Sequence, residues 1–553
     1  MNELSEIFLK VNDNDTVVLE KNRIYDVRQD DSFLLQGYYC SNTAKKEENP
    51  DGTRYTAVYL KNQKNITIDG NGATILVHGK MTPVLFDHCE NITVKNLTLD
   101  YACPTMSEFK VLSSENGVCD IKINEDCLYT IRGNELFWVG ENDKNGKPYW
   151  IDSYHGNKRH IKVFDPESFE TRDFRRADLN FSKIENLGNN VLRVHFKNPA
   201  ISFKVGTTIQ TRNIIRDQVG SFFERCKNLR FENLRVKFMH GLGMVSQFCE
   251  NVSFLNCDFT PAEHRTVAST ADFFQFSGCR GQLEIKNCKA FGAHDDYINV
   301  HGTHLRIVRA SKKEKSITVR FMHNESWGFQ AFEIGDELEF IKWDTLKLYY
   351  DVKVLDFTRI NDTDIKLYLD RELPKITKKK DVVENASWIP DLLVQNCSFS
   401  QTAGRGILAT TRGKVVIENN SFYKLWGPAL LIEDDCNFWF ESGYTKEIVF
   451  KNNIIDACDF GPTFSGAPTI RYTPKVMDEE SKEFVHGKLI LENNIFKNCY
   501  GDTHLIHLEY LENAEIKNNV FDKEFRIEGI CVGSIINENN VSNSLLIDFH
   551  SEI

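Results

Sequence analysis

The chain repeats a short phrase that ends in asparagine. "CKNLRFENLRVKF" begins at Cys226 and "CENVSFLNCDFTP" begins at Cys249, which is 249 − 226 = 23 residues later, and seven further segments share the pattern. In each segment apolar and polar residues alternate, an Asn follows, and a second short apolar run comes after it. Alternating Val, Ile, Phe and Thr predict short strands. About 23 residues is the length of one coil of a parallel β-helix, so the sequence predicts an all-β solenoid.

Stacked coils place equivalent residues above one another, about 4.8 Å apart. We expect the repeated asparagine in a turn between strands, because Asn tolerates the left-handed backbone conformation and its side chain bonds to backbone groups. These residues are Asn96, Asn233, Asn256, Asn287, Asn396, Asn419, Asn452, Asn493 and Asn518. Cys257, Cys288 and Cys397 each follow such an Asn, and we expect them to form an inward ladder of small apolar side chains instead of disulfides.

Two long segments lack the asparagine step and are richer in charge, although strand patterns continue through them. They contain similar phrases, "FKVGTTIQT" from Phe203 and "FEIGDELEF" from Phe332. This similarity predicts two related small β-barrels inserted into the solenoid, and insertions on one face of a solenoid often build its binding site. The predicted domains are N-terminal coils 1–103, a first barrel 104–215, catalytic coils 216–303, a second barrel 304–388 and C-terminal coils 389–553.

The composition limits the classes of partner. The net charge of −12 argues against a nucleic acid or an acidic polysaccharide, and without a run of about 18 apolar residues no membrane insertion is expected. The N-terminal sequence has no basic region, long apolar core or small-residue cleavage site, and the 15 cysteines are an odd number without a CxxC pair. We therefore expect a cytoplasmic protein rather than a secreted one. The oligomeric state stays unknown.

Two adjacent acids occur in "GAHDDYINVHG" (Gly292–Gly302), although neighbouring strand residues point to opposite faces. Asp296 lies 296 − 272 = 24 residues after Asp272, about one coil, so these two carboxylates should stack on one face. Asp295 joins them if it lies in a turn or bulge before the strand. In contrast, we expect the acid run "EDD" (Glu433–Asp435) to be a solvated turn.

Three converging carboxylates repel one another, which raises the pKa of at least one until it keeps a proton at neutral pH. A protonated acid beside ionised bases is what glycoside hydrolysis requires. The sequence has no zinc-ligand spacing and no phosphate-binding loop. No cofactor is therefore expected, although the scattered acids leave calcium open.

Further candidates for substrate binding surround the acids. They are His294, His301, Arg405, Trp327, Trp439 and Glu441. The histidines flank the acid pair and either contact substrate or make structural hydrogen bonds. The arginine falls on the next coil. It binds substrate, it binds an acid, or it lies on the surface. Each tryptophan either stacks on a sugar or packs in the core.

Three longer phrases resemble one enzyme family. "NITIDGNGATILVHGKMTPVLFDHCENITVKNLTLDY", "HDDYINVHGTHLRIV" and "WGFQAFEIGDELEF" are similar to glycoside hydrolase family 110, whose members are exo-acting α-1,3-galactosidases that remove terminal galactose from blood-group-B-type or linear galactosyl glycans. The resemblance extends over nearly the whole chain. It implies a right-handed parallel β-helix of the pectate-lyase-like type with two inserted β-barrels, and hydrolysis with inversion and without a cofactor.

The resemblance also implies a role for each acid. The arrangement is similar to that of the polygalacturonases of glycoside hydrolase family 28. Carried onto the matching positions, Asp295 is the general acid, and Asp272 and Asp296 activate the water. The absence of a leader is the one departure in setting, since many relatives are exported.

Two alternatives stay open. The first is a hydrolase of another glycan such as polygalacturonate, which is a polyanion and needs a basic subsite that the sequence around the acids lacks. The second is a non-catalytic β-helix that binds glycans, which has no need for three acids in register. The sequence does not distinguish branched from linear α-1,3-galactosides.

Overall fold

Short parallel strands stack in successive coils along most of the chain. The structure, a computed structural model, describes residues 2–155, 159–174, 179–461, 469–499, 505–523, 525–542 and 545–550. Pairing between adjacent coils builds sheets of 23 and 11 strands. One six-residue α-helix and one 3-10 turn are the helices of the described residues, so the all-β prediction is confirmed. None of the described helical segments is long and apolar enough to cross a membrane.

The N-terminal coils begin with a helix whose Leu4 and Phe8 pack into the core of the β-helix. The elements before the first insertion are α1 (Glu3–Phe8), β1 (Thr16–Val18), β2 (Ile24–Arg28), the 3-10 turn (Gln29–Asp31), β3 (Phe33–Leu35), β4 (Arg54–Thr56), β5 (Val58–Lys61), β6 (Lys64–Asp69), β7 (Thr74–His78), β8 (Val84–Asp87), β9 (Glu90–Lys95) and β10 (Thr98–Tyr101). The first insertion contains β11 (Ser107–Glu115), β12 (Val118–Ile123), β13 (Leu128–Arg132), β14 (Glu135–Val139), β15 (Ile151–Ser153), β16 (Arg159–Asp165), β17 (Glu170–Asp173), β18 (Phe181–Gly188), β19 (Val191–Phe196) and β20 (Thr208–Asn213).

The β-helix continues after each insertion. The middle coils contain β21 (Ser221–Glu224), β22 (Lys227–Glu232), β23 (Arg235–Val236), β24 (Met244–Gln247), β25 (Glu250–Leu255), β26 (Asp258–Phe259), β27 (Phe274–Ser277), β28 (Arg280–Lys286), β29 (Lys289–Ala293) and β30 (Ile298–Thr303). The second insertion contains β31 (Leu305–Ser311), β32 (Ser316–Arg320), β33 (Glu337–Ile341), β34 (Leu348–Arg359), β35 (Asp364–Leu369) and β36 (Val382–Asn385). The final coils contain β37 (Pro390–Gln395), β38 (Ser398–Thr402), β39 (Ile407–Ala409), β40 (Lys414–Glu418), β41 (Ser421–Leu425), β42 (Leu430–Ile432), β43 (Glu441–Ser442), β44 (Glu447–Lys451), β45 (Ile454–Asp456), β46 (Ile470–Tyr472), β47 (His486–Glu492), β48 (Ile495–Lys497), β49 (Ile506–Lys517), β50 (Val520–Phe521), β51 (Phe525–Glu538) and β52 (Leu545–His550).

The repeated asparagines form the turn between the two large sheets. All nine predicted residues have a φ between 53° and 59°, so their predicted left-handed conformation is confirmed. Their side chains also bond between coils: Asn287 Nδ2 donates to Asn256 Oδ1 at 3.0 Å, and Asn396 Nδ2 donates to Asn287 Oδ1 at 3.2 Å. The ladder fixes the register of the coils, because a slip would break every bond in it.

The position after each asparagine points into the helix. Cys257, Cys288 and Cys397 stack there, buried and free, as predicted. In later coils the same position is a buried asparagine, and the backbone N–H of Asn420 donates to Asn453 Oδ1 at 2.9 Å. All 15 cysteines of the chain are free. The cytoplasmic location inferred from them stays a prediction.

The first insertion differs from the predicted barrel. It is a sheet of seven strands in the order β17-β16-β20-β11-β12-β19-β18, and its edge strands do not pair with each other in the described residues. A separate sheet, β13-β14-β15, packs on it: Trp138 lies against Phe109, with ring centroids 6.1 Å apart. This second layer buries the apolar face that closure into a barrel would otherwise bury.

The second insertion is a closed barrel in the order β31-β32-β35-β34-β33-β36. Leu338, Val354 and Leu367 belong to its apolar interior. The phrase shared by the two insertions has the same local structure in both. Gly206 before β20 and Gly335 before β33 have φ values of 94° and 93°. The shared phrase therefore specifies the same turn into a strand in both insertions, but not closure of the sheet into a barrel.

Candidate active site

Three carboxylates meet on the outside of adjacent coils. Strands β27 and β30 lie side by side with Phe274 opposite Ile298, which places Asp272 opposite Asp296. The backbone N–H of Asp296 donates to Asp272 Oδ1 at 3.2 Å. Asp272, Asp295 and Asp296, here called the acid cluster, each offer an oxygen within 4.8 Å of the others. Their predicted convergence is confirmed.

Asp295 joins the cluster because the chain bends between β29 and β30. The strands end at Ala293 and resume at Ile298, and the Asp295 side chain is 39% exposed instead of pointing into the helix. The Thr402 hydroxyl donates to the carbonyl oxygen of Asp295 and accepts the N–H of Gly404. A Cβ at Gly404 would lie 2.5 Å from the Asp295 carbonyl carbon, so the bend needs glycine on the neighbouring coil.

Burial and mutual repulsion shift the pKa values of the acid cluster. Burial raises the pKa of Asp272 well above its usual range, and the charges of Asp295 and Asp296 raise it further. Burial also raises the pKa of Asp296 to about 6, although the Arg405 guanidinium acts to lower it. Arg405 binds both oxygens of Asp296, with Nε to Oδ1 at 2.6 Å and Nη2 to Oδ2 at 2.7 Å. At neutral pH the cluster therefore holds a proton while Asp296 stays ionised against Arg405.

A second arginine reaches the same cavity from the linker that leaves the first insertion. Arg216 lines the cavity with the acid cluster, and its Nη2 donates to Glu325 Oε2 of the second insertion at 2.6 Å. The next residue, Asp217, is anchored by Lys80 Nζ at 2.9 Å. Sequence reasoning missed Arg216, because a linker residue carries no periodic signal that relates it to acids on the coils.

The floor of the cavity is polar and buried. Gln275 and Asn299 are paired across β27 and β30, and each has a buried side-chain oxygen without a hydrogen-bond partner. Such oxygens are free to accept hydroxyl groups from a sugar. His301 lies behind Gln275, with Nε2 to Nε2 at 2.9 Å. The two floor residues each stand three positions after Asp272 or Asp296, so coil register was a signal that could have found them.

The mouth of the cavity is built from segments that are distant in sequence. Its wall includes Asn42, Glu433, Phe438, Trp439, Glu441 and Lys475. Asn42 Nδ2 donates to Glu441 Oε1 at 2.5 Å, and Lys475 Nζ pairs with Glu433 Oε1 at 2.9 Å. The cavity has a volume of about 490 Å³, which is within the usual range of small-molecule sites.

Known proteins are similar to this chain over most of its length. Residues 316–383 match the family model described as GLAA-B beta-barrel domain II, and residues 382–546 match the right handed beta helix region. Alpha-1,3-galactosidase A of Akkermansia muciniphila is 35% identical over 479 residues, which cover 86% of this chain and 76% of that protein. The chain belongs to the α-1,3-galactosidase family.

Other members of the α-1,3-galactosidase family are similar over comparable lengths. Alpha-1,3-galactosidase A of Bacteroides fragilis is 34% identical over 486 residues, 86% of this chain and 76% of that protein. Alpha-1,3-galactosidase B of Bacteroides thetaiotaomicron is 29% identical over 538 residues, 93% of this chain and 83% of that protein. The resemblance seen in the sequence is confirmed, and the coils are those of a right-handed β-helix.

Two of the residues predicted to contact substrate lie outside the cavity of this α-1,3-galactosidase family member. His294 is buried against the first insertion, where its Nε2 pairs with Gln210 Oε1 at 2.8 Å and burial lowers its pKa well below the usual range. The bend that turns Asp295 outward turns His294 the other way. Trp327 is buried, donates to the Ala44 carbonyl at 2.9 Å and packs on Tyr39. His294 packs against the first insertion, and Trp327, which belongs to the second insertion, packs against the N-terminal loop. For both residues the structure fits the alternative of a structural side chain instead of a substrate contact.

The other four predicted contacts lie at the cavity. Arg405, Trp439 and Glu441 line it, whereas His301 lies behind it, in contact with Gln275 and 3.8 Å from Glu441. Among the described residues, the metal-ligating side chains that lie close enough together to hold an ion are those of the acid cluster. Arg405 already occupies both oxygens of one of its members.

The acid run Glu433–Asp435 is not the solvated turn that its sequence predicts. Glu433 lines the cavity. Asp434 is buried, and its Oδ1 pairs with His304 Nε2 at 2.9 Å. Asp435 is buried as well and accepts backbone N–H groups from the residues that follow. The run is buried because the second insertion packs over these coils.

Proposed function

We propose that the protein is an exo-acting glycoside hydrolase that removes terminal α-1,3-linked galactose from blood-group-B-type or linear galactosyl glycans with inversion. The observation that carries the proposal is the convergence of the acid cluster in a polar cavity of a chain from the α-1,3-galactosidase family. Relatives named for this activity align with most of the chain, and the cavity volume suits a sugar.

Each acid has a proposed role that follows from its surroundings. Asp295 is the most exposed of the three, so it reaches the leaving oxygen and donates a proton to it. Asp272 and Asp296 hold the attacking water between them, and Arg405 keeps Asp296 ionised as a base. No cofactor takes part.

The proton is shared by the cluster before substrate binds. Coupled carboxyl groups titrate as a set, so the proton is not confined to Asp272. Transfer of this proton to Asp295, the acid at the leaving oxygen, removes one of the two charges that raise the pKa of Asp272. Neutral Asp295 no longer repels the charge on Asp272, which then ionises more readily and serves as a base.

Inversion is proposed from the family resemblance and from the pairing of Asp272 with Asp296. The oxygens of the acid cluster lie within 4.8 Å of one another, which is tighter than the roughly 6.5–9.5 Å between the two carboxyl groups of typical inverting enzymes. Proton NMR of the first product tests this step. We expect β-galactose to form first, and α-galactose as the first product would reject inversion.

Charge pairing favours a neutral glycan over polygalacturonate. The three cations that line the cavity each have a carboxylate partner: Arg405 binds Asp296, Arg216 binds Glu325 and Lys475 binds Glu433. None of these described cations is therefore free for a uronate. A site that only binds glycans gives no reason to hold buried acids at raised pKa values.

The roles are tested with two substrates that differ in the leaving group. Galactosyl-α-1,3-galactose needs a proton on its leaving oxygen, whereas fluoride leaves α-galactosyl fluoride without one. We expect Asp295→Asn to lose about 10²- to 10⁴-fold in kcat on the disaccharide and to retain most of its activity on the fluoride. Asp272→Asn and Asp296→Asn should lose activity on both.

The control is Asp351→Asn, which makes the same change at an exposed aspartate of the second barrel. It should leave both activities unchanged. Full activity of Asp295→Asn on the disaccharide would overturn its assignment as the acid.

A further inference from the structure

The cavity has a buried end and an exposed end. Gln275, Asp272 and Asp296 are buried at the floor, whereas Asp295 lies nearer to solvent. An exo-acting enzyme encloses the terminal sugar, so the galactose belongs at the floor. The rest of the glycan leaves past the proton donor, which places the leaving sugar at the mouth.

Two large apolar side chains are exposed at this mouth. Phe438 is 59% exposed and Trp439 is 46% exposed, and both line the cavity that holds the acid cluster. Single exposed apolar residues are common on proteins, but neighbouring ones that rim a cavity indicate a ligand surface. A pyranose ring has an apolar C–H face of the size of an aromatic ring, which suits such a surface.

A buried acid holds the loop that carries the two rings. Asp435 accepts the backbone N–H groups of Asn437 at 2.7 Å, Phe438 at 2.9 Å, Phe440 at 3.2 Å and also that of Trp439. Four consecutive amides bound to one carboxylate make the loop rigid. A preformed surface binds a sugar without the entropic cost of ordering the loop.

The second barrel supports the tryptophan from behind. The rings of His323 and Trp439 have centroids 4.3 Å apart and planes inclined by 33°. Burial lowers the pKa of His323, so this support is a neutral ring. Despite this contact, Trp439 stays 46% exposed and lines the cavity.

We propose that Trp439 is a specificity-determining residue that stacks on the leaving sugar, and that Asp435 is its positioning residue. The enzyme then prefers a galactose that is joined to a second pyranose ring over a galactose with a small leaving group. This inference rests on the proposed function, because it takes the cleaved bond to lie between floor and mouth. It also gives the second barrel a role in substrate choice through His323.

The test compares kcat/KM for galactosyl-α-1,3-galactose and α-galactosyl fluoride. The fluoride fills the floor and has no second sugar. We expect Trp439→Ala to lower kcat/KM for the disaccharide by about tenfold or more, mainly through KM, and to leave the fluoride unchanged. Trp439→Phe should restore part of the loss, and Asp435→Asn should show a smaller loss with the same substrate dependence.

Tyr423→Ala is the matched control, because it removes an exposed aromatic on β41 that does not line the cavity. It should change neither substrate. Equal losses on both substrates with Trp439→Ala, or no loss on the disaccharide, would overturn the proposed subsite and leave the proposed function intact. A wild-type protein inactive on both substrates would reject the proposed function and the subsite with it.

Discussion

Gly404→Ala should displace the proposed proton donor without touching any charged group. The Cβ of alanine at this position would lie 2.5, 2.6 and 2.7 Å from the carbonyl carbon, carbonyl oxygen and Cα of Asp295. Ordinary contacts of a Cβ begin at 3.4 Å, so the two backbones must separate by about 0.7–0.9 Å. Gly404 does not have a positive φ, so the effect comes from crowding alone.

The size of the effect follows from this displacement. Misplacing a catalytic group by about 1 Å costs on the order of 10²-fold in rate, which is about 2.7 kcal/mol in activation free energy. Crowding of this kind lowers the free energy of unfolding by about 1–3 kcal/mol. We therefore expect a folded variant whose kcat on galactosyl-α-1,3-galactose falls by roughly 30- to 100-fold.

The assay measures kcat on the disaccharide and on α-galactosyl fluoride together with urea unfolding. The loss should be larger on the disaccharide, because the fluoride does not need the proton of Asp295. Gly487→Ala is the control, since its Cβ would lie 2.4 Å from the Lys446 carbonyl oxygen in coils away from the cavity. It should lose stability and keep kcat. An unchanged kcat in folded Gly404→Ala would refute the reasoning.

Three further predictions test the electrostatics and the scaffold. Arg405→Gln removes the cation that lowers the pKa of Asp296, so the pKa of Asp296 should rise above about 6. The acid limb of the kcat/KM profile should then move to higher pH, because the base must be ionised to act. An acid limb that stays in place would contradict the role of Arg405. Asn453→Ala leaves the backbone and side-chain N–H groups of Asn420 without the Asn453 acceptor. The free energy of unfolding in urea should therefore fall by about 2–3 kcal/mol. A loss below about 0.5 kcal/mol would show that the ladder of buried asparagines is dispensable. Polygalacturonate should not be hydrolysed, because the cations of the cavity are paired, and release of galacturonate in a reducing-sugar assay would favour the polygalacturonase alternative.

Register carried most of the correct predictions. The repeated Asn marks a left-handed turn at all nine predicted positions, and the 24-residue spacing of Asp272 and Asp296 places them on adjacent strands. The same register could have identified Gln275 and Asn299, which stand three positions after these acids. These features are local or recur at a fixed period, so the chain alone specifies them.

Features that depend on packing between segments were not available from the sequence. Arg216 and Asn42 reach the cavity from a linker and an N-terminal loop. The side chains of His294 and Trp327 are buried by packing against other segments. The first insertion buries its apolar face under a second sheet instead of closing into a barrel.

The sequence by itself determined the β-helix, its asparagine turns and the alignment of two of the three acids. The tertiary structure decided how Asp295 turns outward, which arginines meet the acids and which aromatic rings rim the mouth. The physical reason is that coil register follows from a periodic pattern of apolar residues and turns. The contents of a cavity follow from which distant surfaces pack together, and no local pattern records that choice.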